Sequence, residues 1–270
     1  LLLPEDARER QAIVISNPLG EDFSIMRTTS LNGMLTSLAT NYNRRNESAG
    51  IFEVARVYLP KAVPVTELPD EIPTLTVGMY GKMDFYDIKG VVEHLMIVLG
   101  IGDRAEYTVE TELSWMHPGR TASVIVDGVN VGYLGELHPT VAKNYNIGTK
   151  VYLAVLNMEE LIKASNMVNV YKPLPKFPAI TRDIAMLVKE DVTVKQIADE
   201  IRKNGGEYLE EVKLFDVYQG EQIEKGYKSV AYSISFRSAE RTLADADVVD
   251  SMQAILDGLA KELGAQLRDK

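Results

Sequence analysis

The clearest pattern along the chain is an alternation of large and small side chains over residues 229–236. A period of two with aromatic and β-branched residues on one side is typical of a half-buried strand. A second strand pattern ends at Tyr218, and a turn-rich link containing Gly220 and Gly226 joins the two runs. The two runs therefore predict an antiparallel pair with one buried and one open face. The large residues are Val230, Tyr232, Ile234 and Phe236, and the small residues are Ser229, Ala231, Ser233 and Ser235.

The segments on either side of this pair complete a domain of six elements. Arg182–Lys189 predicts a strand, and apolar residues at helical spacing follow it. A strong apolar stripe over Val248–Leu263 predicts a second helix, and Thr242 with Asp245 is suited to a capping box at its start. Ala265–Arg268 is long enough for a short closing strand. The order strand, helix, strand, strand, helix, strand predicts a ferredoxin-like βαββαβ arrangement.

The first part of the chain mixes helices with strands that hairpins connect. Apolar stripes predict helices over Leu31–Tyr42, Tyr86–Leu99 and Met158–Lys163, and Asp127-Gly128 is a favoured hairpin turn. This mixture predicts an α+β fold rather than a doubly wound sheet. The predicted strands are Ile51–Tyr58, Leu75–Tyr80, Ala122–Val126, Val129–Leu134 and Val151–Leu156.

A proline-rich stretch divides the chain. Pro173, Pro175 and Pro178 are spaced so that neither a helix nor a central strand can persist there. The sequence therefore predicts two domains, residues 1–171 and 172–270. A length of 270 residues is sufficient for both to bury a core.

Composition narrows the class of protein. The absence of cysteine excludes a disulfide framework and a thiolate metal site, and no apolar run approaches the about 20 residues of a membrane helix. We expect no metal site, no membrane partner and a cytoplasmic location. Because the chain opens on Leu1 rather than methionine, we also expect it to be a piece of a longer protein.

Charge argues against general affinity for nucleic acid. The net charge is −10, and the segment from Lys172 onward carries 15 Lys and Arg against 18 Asp and Glu. A protein that binds a phosphate backbone usually has a basic stripe. Any RNA binding by this chain would therefore depend on base contacts or on another subunit.

Five blocks in the C-terminal part resemble one known domain. They are KFPAITRDIAMLV at Lys176–Val188, LFDVY at Leu214–Tyr218, GYKS at Gly226–Ser229, FRSAERTL at Phe236–Leu243 and ELGAQLR at Glu262–Arg268. Together they are similar to the ferredoxin-fold anticodon-binding domain that closes the β chain of bacterial phenylalanyl-tRNA synthetase. Blocks in the first part, among them IFEVARVY, MDFYDIKGVVEHL and GYLGELHP, resemble the catalytic-like module of the same chain.

The resemblance implies a fold class and a role. The fold would be α+β, with a class II synthetase-like antiparallel sheet domain followed by a ferredoxin-like domain. The module has no active site in this family, so we expect no catalytic residue and no activity of the chain alone. Catalysis, with its ATP and Mg²⁺, belongs to a separate α chain. The implied partners are that α chain, in an α2β2 assembly, and tRNA-Phe.

The resemblance also implies an anticodon site at Asp216, Tyr218, Ser229 and Arg268. An aspartate can accept hydrogen bonds from the N1–H and N2–H₂ donors of guanine, and a tyrosine can stack on a base. Ser229 would add a hydroxyl without bulk, and Arg268 could stack or bind a phosphate. The alternative is that Asp216 and Arg268 form an exposed ion pair that contributes little.

Two further questions remain open from the residues alone. An adenylate site needs cations for the ATP phosphates, and Arg27, Arg56 and Arg120 are candidates. However, His138 and Pro139 follow the Gly-rich segment where a catalytic member of the family has an arginine-bearing helix start, which favours an inactive module. Because fold does not fix function, a ferredoxin-like module that senses a small ligand is the alternative for the second domain.

Overall fold

The computed structural model describes residues 1–168, 170–171, 173–220 and 222–268. The chain forms two compact units, Leu1–Val170 and Tyr171–Lys270. Lys172, the first residue of the predicted second domain, lies outside the described residues, and the predicted boundary at 171/172 stays a prediction.

The first unit is built on a six-stranded sheet in the order β1-β2-β6-β5-β4-β3, with every neighbouring pair antiparallel. The strands are β1 (Ala49–Leu59), β2 (Asp70–Tyr80), β3 (Ala105–Val109), β4 (Met116–Val126), β5 (Val129–Leu137) and β6 (Val151–Asn157). The helices are α1 (Leu31–Asn43), α2 (Phe85–Val98), α3 (Pro139–Asn144) and α4 (Met158–Ala164).

Helices pack on both faces of this sheet. Leu35 and Leu38 of α1 are fully buried against one face, together with Val141 of α3. Ile88 of α2 and Leu161 of α4 are buried against the other face. The helices and strands named above for this unit are present, and β2 begins earlier than expected. The AIVIS segment at residues 12–16, also expected as a strand, forms only an isolated bridge between Val14 and Ile25. The Pro73 of β2 is tolerated because β2 pairs with β6 only from Thr74 onward, so the strand is an edge at that point.

The second unit has the ferredoxin-like topology that the sequence predicts. Its antiparallel sheet has the order β10-β7-β9-β8, and α5 and α6 pack on one face. The elements in chain order are β7 (Ile180–Lys189), α5 (Val194–Asn204), β8 (Leu209–Tyr218), β9 (Tyr227–Phe236), α6 (Ala246–Leu263) and β10 (Gln266–Leu267). The large residues of β9 are buried as predicted, and the Tyr232 hydroxyl donates to the Val194 carbonyl oxygen at 2.6 Å.

One predicted detail of α6 is wrong. Asp245 occupies the N-cap position but its side chain caps no backbone amide, so the predicted capping box with Thr242 does not form. Instead the Asp247 carboxylate accepts from the Ala244 amide at 2.6 Å and from both terminal nitrogens of Arg241 at 2.7 Å. These bonds lower the pKa of Asp247 to about 2, with the Arg241 hydrogen bond as the largest cause.

Replacing two glycines of the first unit by alanine should change the free energy of unfolding in opposite directions. Gly33 is exposed on α1, and a Cβ there would meet only Glu53 Oε2, at 3.8 Å. Gly33→Ala should therefore raise the free energy of unfolding by about 0.5–1 kcal/mol. A Cβ on Gly78 would lie 2.7 Å from Met34 Sδ and 2.9 Å from Leu38 Cδ1, so Gly78→Ala should lower it by about 1–3 kcal/mol.

Urea unfolding followed by tryptophan fluorescence measures both changes, since the chain's one tryptophan, Trp115, lies in this unit. The same direction of shift for both variants would contradict this packing.

Candidate nucleic-acid interface

The sheet of the second unit has an open face opposite α5 and α6. In an antiparallel sheet, residues directly opposite each other place their side chains on the same face. Tyr218 is opposite Ser229, and Ser229 is opposite Leu187. Asp216 is opposite Ala231, and Ala231 is opposite Ala185. The two rows are adjacent, so the structure brings Asp216, Tyr218 and Ser229 together on the open face.

A β-bulge in β8 determines which residues of that strand reach the open face. The register shifts by one residue between Leu214 and Asp216, and Phe215 has no residue opposite it. With a regular register, Phe215 would lie opposite Ala231, and Asp216 opposite the buried Val230. The extra residue therefore turns Asp216 and Tyr218 to the open face, because a shift of one residue exchanges the two faces of a strand.

The small residues at the base of the candidate site are largely covered by their neighbours. Ser229 is only 5% exposed, since it lies between Tyr218 and Leu187 in its row, whereas Tyr218 is 39% exposed. The result is a shallow trough with small side chains at its base and a tyrosine at its rim.

Arg268 lies at the opposite edge of the sheet from Asp216. Its backbone amide donates to the Ala185 carbonyl oxygen at 2.9 Å, which continues the pairing of β10 with β7. The row therefore reads Asp216, Ala231, Ala185, Arg268. Three strand spacings of about 4.8 Å separate its ends by about 14 Å. An ion pair between Asp216 and Arg268 would need both side chains to extend fully towards each other across the two intervening strands.

Sequence reasoning missed other residues on the same face. Tyr227 pairs with Lys189, and Lys213 pairs with Ser233, whose other neighbour is Asp183. The alternation of β9 could have revealed Tyr227, because it has the same parity as Ser229. The positions of Lys189 and Asp183 on this face depend on the register between β7 and β9, which local sequence patterns do not predict.

In the first unit, each of the three candidate arginines forms an ion pair with a carboxylate. Arg27 binds Glu53 at 2.7 Å, Arg56 binds Glu71 at 3.1 Å and Arg120 binds Glu136 at 2.9 Å. The Glu136 side chain is buried and also accepts from the Tyr152 hydroxyl at 3.5 Å. Burial, and then the negative charge of Glu136, raise the pKa of Tyr152. Each of the three arginines therefore already has a carboxylate partner in the first unit.

His138 and Pro139 also have local structural roles. The Nδ1 atom of His138 accepts from the Thr140 amide at 3.1 Å, and Pro139 occupies the first turn of α3. The described residues contain no group of three or more histidine, aspartate or glutamate side chains arranged to hold a metal ion. Among the described helices, none is long and apolar enough to cross a membrane.

Both units match models of known families. Residues 1–158 match the family described as the phenylalanyl tRNA synthetase beta chain CLM domain. Residues 175–268 match the ferredoxin-fold anticodon binding domain. The two matches define a class of protein, a subunit of an aminoacyl-tRNA synthetase that carries an anticodon-binding domain. The chain belongs to the phenylalanyl-tRNA synthetase β chain family.

Curated relatives agree with this assignment. The chain is 44% identical over 268 residues to the phenylalanine–tRNA ligase beta subunit of Clostridium acetobutylicum, and 47% identical over 268 residues to that of Clostridium tetani. Each alignment covers 99% of this chain and 34% of the relative. The chain therefore spans about one third of the length of these relatives.

Among solved structures, the chain is similar to a pyrrolysyl tRNA synthetase from Desulfitobacterium hafniense. The TM-score is 0.46 at 13% identity, over 57% of this chain and 52% of that one. The predicted α+β fold class, an antiparallel sheet domain followed by a ferredoxin-like domain, is confirmed by the topology and by the match to the ferredoxin-fold family.

Proposed function

We propose that this chain is a non-catalytic, tRNA-binding and structural part of a phenylalanine–tRNA ligase. Its second domain, residues 172–270, recognises the first anticodon base of tRNA-Phe through Asp216, Tyr218, Ser229 and Arg268. The observation that carries the proposal is the position of Asp216 and Tyr218. The bulge at Phe215 turns both side chains to the open face of a domain that matches the anticodon-binding family.

The chemistry of the trough suits a guanine. The Asp216 carboxylate is exposed and has acceptors for the N1–H and N2–H₂ donors of the base. The adjacent Tyr218 ring provides a stacking surface, and base stacking on an aromatic side chain contributes about 1–3 kcal/mol. Ser229 and Ala231 leave room for a flat ligand between the rows. The match to the anticodon-binding family over residues 175–268 makes a small-ligand sensor the less favoured alternative.

The first domain, residues 1–171, is proposed to dock the catalytic α chain within an α2β2 assembly in the cytoplasm. ATP and Mg²⁺ belong to the α chain in this proposal. The apolar stripe of α1 is core, since Leu31, Leu35 and Leu38 are at most 1% exposed. On the other face of the sheet, α2 and α4 leave an apolar groove of about 570 Å³ beside β1, with Phe52 and Val54 exposed at its rim.

The anticodon site is tested by two substitutions in the complete enzyme assembled with its α chain. Asp216→Ala should weaken tRNA-Phe binding by about 1.5–3 kcal/mol, the contribution of a hydrogen bond to a charged group. Tyr218→Ala should weaken it by about 1–3 kcal/mol through lost stacking. Both variants should keep phenylalanine-dependent ATP–pyrophosphate exchange, which does not involve the anticodon.

A matched control lies on the same strand. Glu211→Ala removes an acidic residue from the open face two rows from Asp216, and it should not weaken binding as much. Wild-type tRNA affinity in both Asp216→Ala and Tyr218→Ala would exclude the proposed site.

The chain alone should form no aminoacyl-adenylate, because His138 and Pro139 stand where a catalytic member of the family has an arginine-bearing helix start. The measurement is phenylalanine-dependent ATP–pyrophosphate exchange in a preparation free of the host's α chain. Exchange above background would show that the first domain is catalytic and would overturn this part of the proposal.

A further inference from the structure

The open face of the second unit separates its candidate base contacts from Arg268. Asp216 and Tyr218 lie on the edge strand β8, while Arg268 follows β10 at the other edge. Ala231 and Ala185 fill the row between Asp216 and Arg268, so no large side chain blocks the path from one edge to the other. The backbones of Asp216 and Arg268 are about 14 Å apart, so the carboxylate at one edge and the guanidinium at the other suit different parts of a ligand that crosses the sheet.

We infer that one nucleotide lies across the four strands, with its base over β8 and β9 and its phosphate towards β10. This inference rests on the proposed function and adds to it the orientation of the nucleotide on the sheet. Asp216 reads the base, and the exposed guanidinium of Arg268 neutralises a phosphate. Arg268 is thus an affinity residue without base specificity, because a phosphate contact carries no sequence information.

Other charged residues on the face make the assignment testable. Lys213 is an exposed cation on the same face, but it lies on β8 in the row of Ser233 and Asp183. It offers the same charge as Arg268 at the edge where the base is placed. A variant of Lys213 therefore controls for loss of charge from the domain as a whole.

The test is the salt dependence of binding between the 270-residue chain and the anticodon stem-loop of tRNA-Phe. Removing one contact to a single-stranded phosphate lowers the slope of log affinity against log salt concentration by about 0.7. Arg268→Gln should show this decrease and keep the preference for guanine at the first anticodon position. Asp216→Asn should keep the slope and lose the preference. Lys213→Gln should change neither.

The outcomes separate this inference from the proposed function. An unchanged slope in Arg268→Gln, or an equal decrease in Lys213→Gln, would overturn the inference while loss of preference in Asp216→Asn still supports the anticodon site. If Asp216→Asn keeps full preference for guanine, the proposed site itself is wrong.

A second inference comes from the contact between Tyr218 and Gly220. A Cβ on Gly220 would lie 2.2 Å from the Tyr218 hydroxyl oxygen and 2.5 Å from Cζ. The ring of Tyr218 therefore leans along the chain, over the backbone of Gly220, and fills the space that any side chain at 220 would need. We propose that Gly220 is a positioning residue, which holds the stacking surface of Tyr218 by having no side chain.

A double-mutant cycle tests this positioning role, again with the 270-residue chain and the stem-loop. Gly220→Ala should weaken binding, because the tyrosine must move, and the phenol end of a flexible side chain can move without unfolding the domain. In a Tyr218→Ala background, the same Gly220→Ala change should have no effect, since the two residues then share no contact.

Equal losses from Gly220→Ala in both backgrounds would show that the substitution acts through the turn and not through Tyr218. No loss in either background would also overturn the positioning role. If Tyr218→Ala weakens binding while Gly220→Ala has no effect, the positioning role is wrong and the proposed function still holds.

Discussion

The candidate RNA-binding surface depends on the β-bulge at Phe215. A strand alternates its side chains between two faces, so one extra residue decides which face the following residues occupy. Before the bulge, Leu214 is opposite the buried Tyr232; after it, Asp216 is opposite Ala231. Without the shift, the hydrophobic residues Phe215 and Val217 would occupy the open face. The bulge thus gives a polar and aromatic surface to a strand whose sequence is mainly apolar at this point.

Electrostatics explains why such a surface would have to read a base rather than a backbone. The chain has a net charge of −10, and the open face carries acidic residues as well as cations. Arg27, Arg56 and Arg120 of the first unit are paired with carboxylates within that unit. Affinity must therefore come from hydrogen bonds and stacking at a few positions, with phosphate contacts as a smaller contribution from this chain.

Most of the fold could be predicted from the sequence, because hydrophobic periodicity is strong in the elements that bury the core. The alternation in β9 and the apolar stripe of α6 identified the ferredoxin-like domain. β3 (Ala105–Val109) was not predicted, since it is a short edge strand with half-exposed side chains. The predicted capping box at Thr242 and Asp245 was wrong. The start of α6 is instead stabilised by Asp247, whose carboxylate accepts from the Ala244 amide and from Arg241.

The candidate site could be predicted in its residues but not in its geometry. The resemblance implied Asp216, Tyr218, Ser229 and Arg268, and all four belong to or continue strands of one sheet. Their arrangement depends on strand order and on the bulge, which local sequence patterns do not encode. Sequence alone therefore left open an Asp216–Arg268 ion pair, whereas the order β10-β7-β9-β8 places these residues at opposite edges.

The central claim is that Asp216 and its neighbours recognise a guanine at the first anticodon position. Titration of this chain with anticodon stem-loops of tRNA-Phe that differ only at that base tests the claim most directly. Guanine should bind most tightly. Inosine, which lacks the 2-amino donor, should bind about tenfold or more weakly, and adenine, which also lacks the N1–H donor, should bind more weakly still. Equal affinity for the three stem-loops would contradict recognition of the base by Asp216.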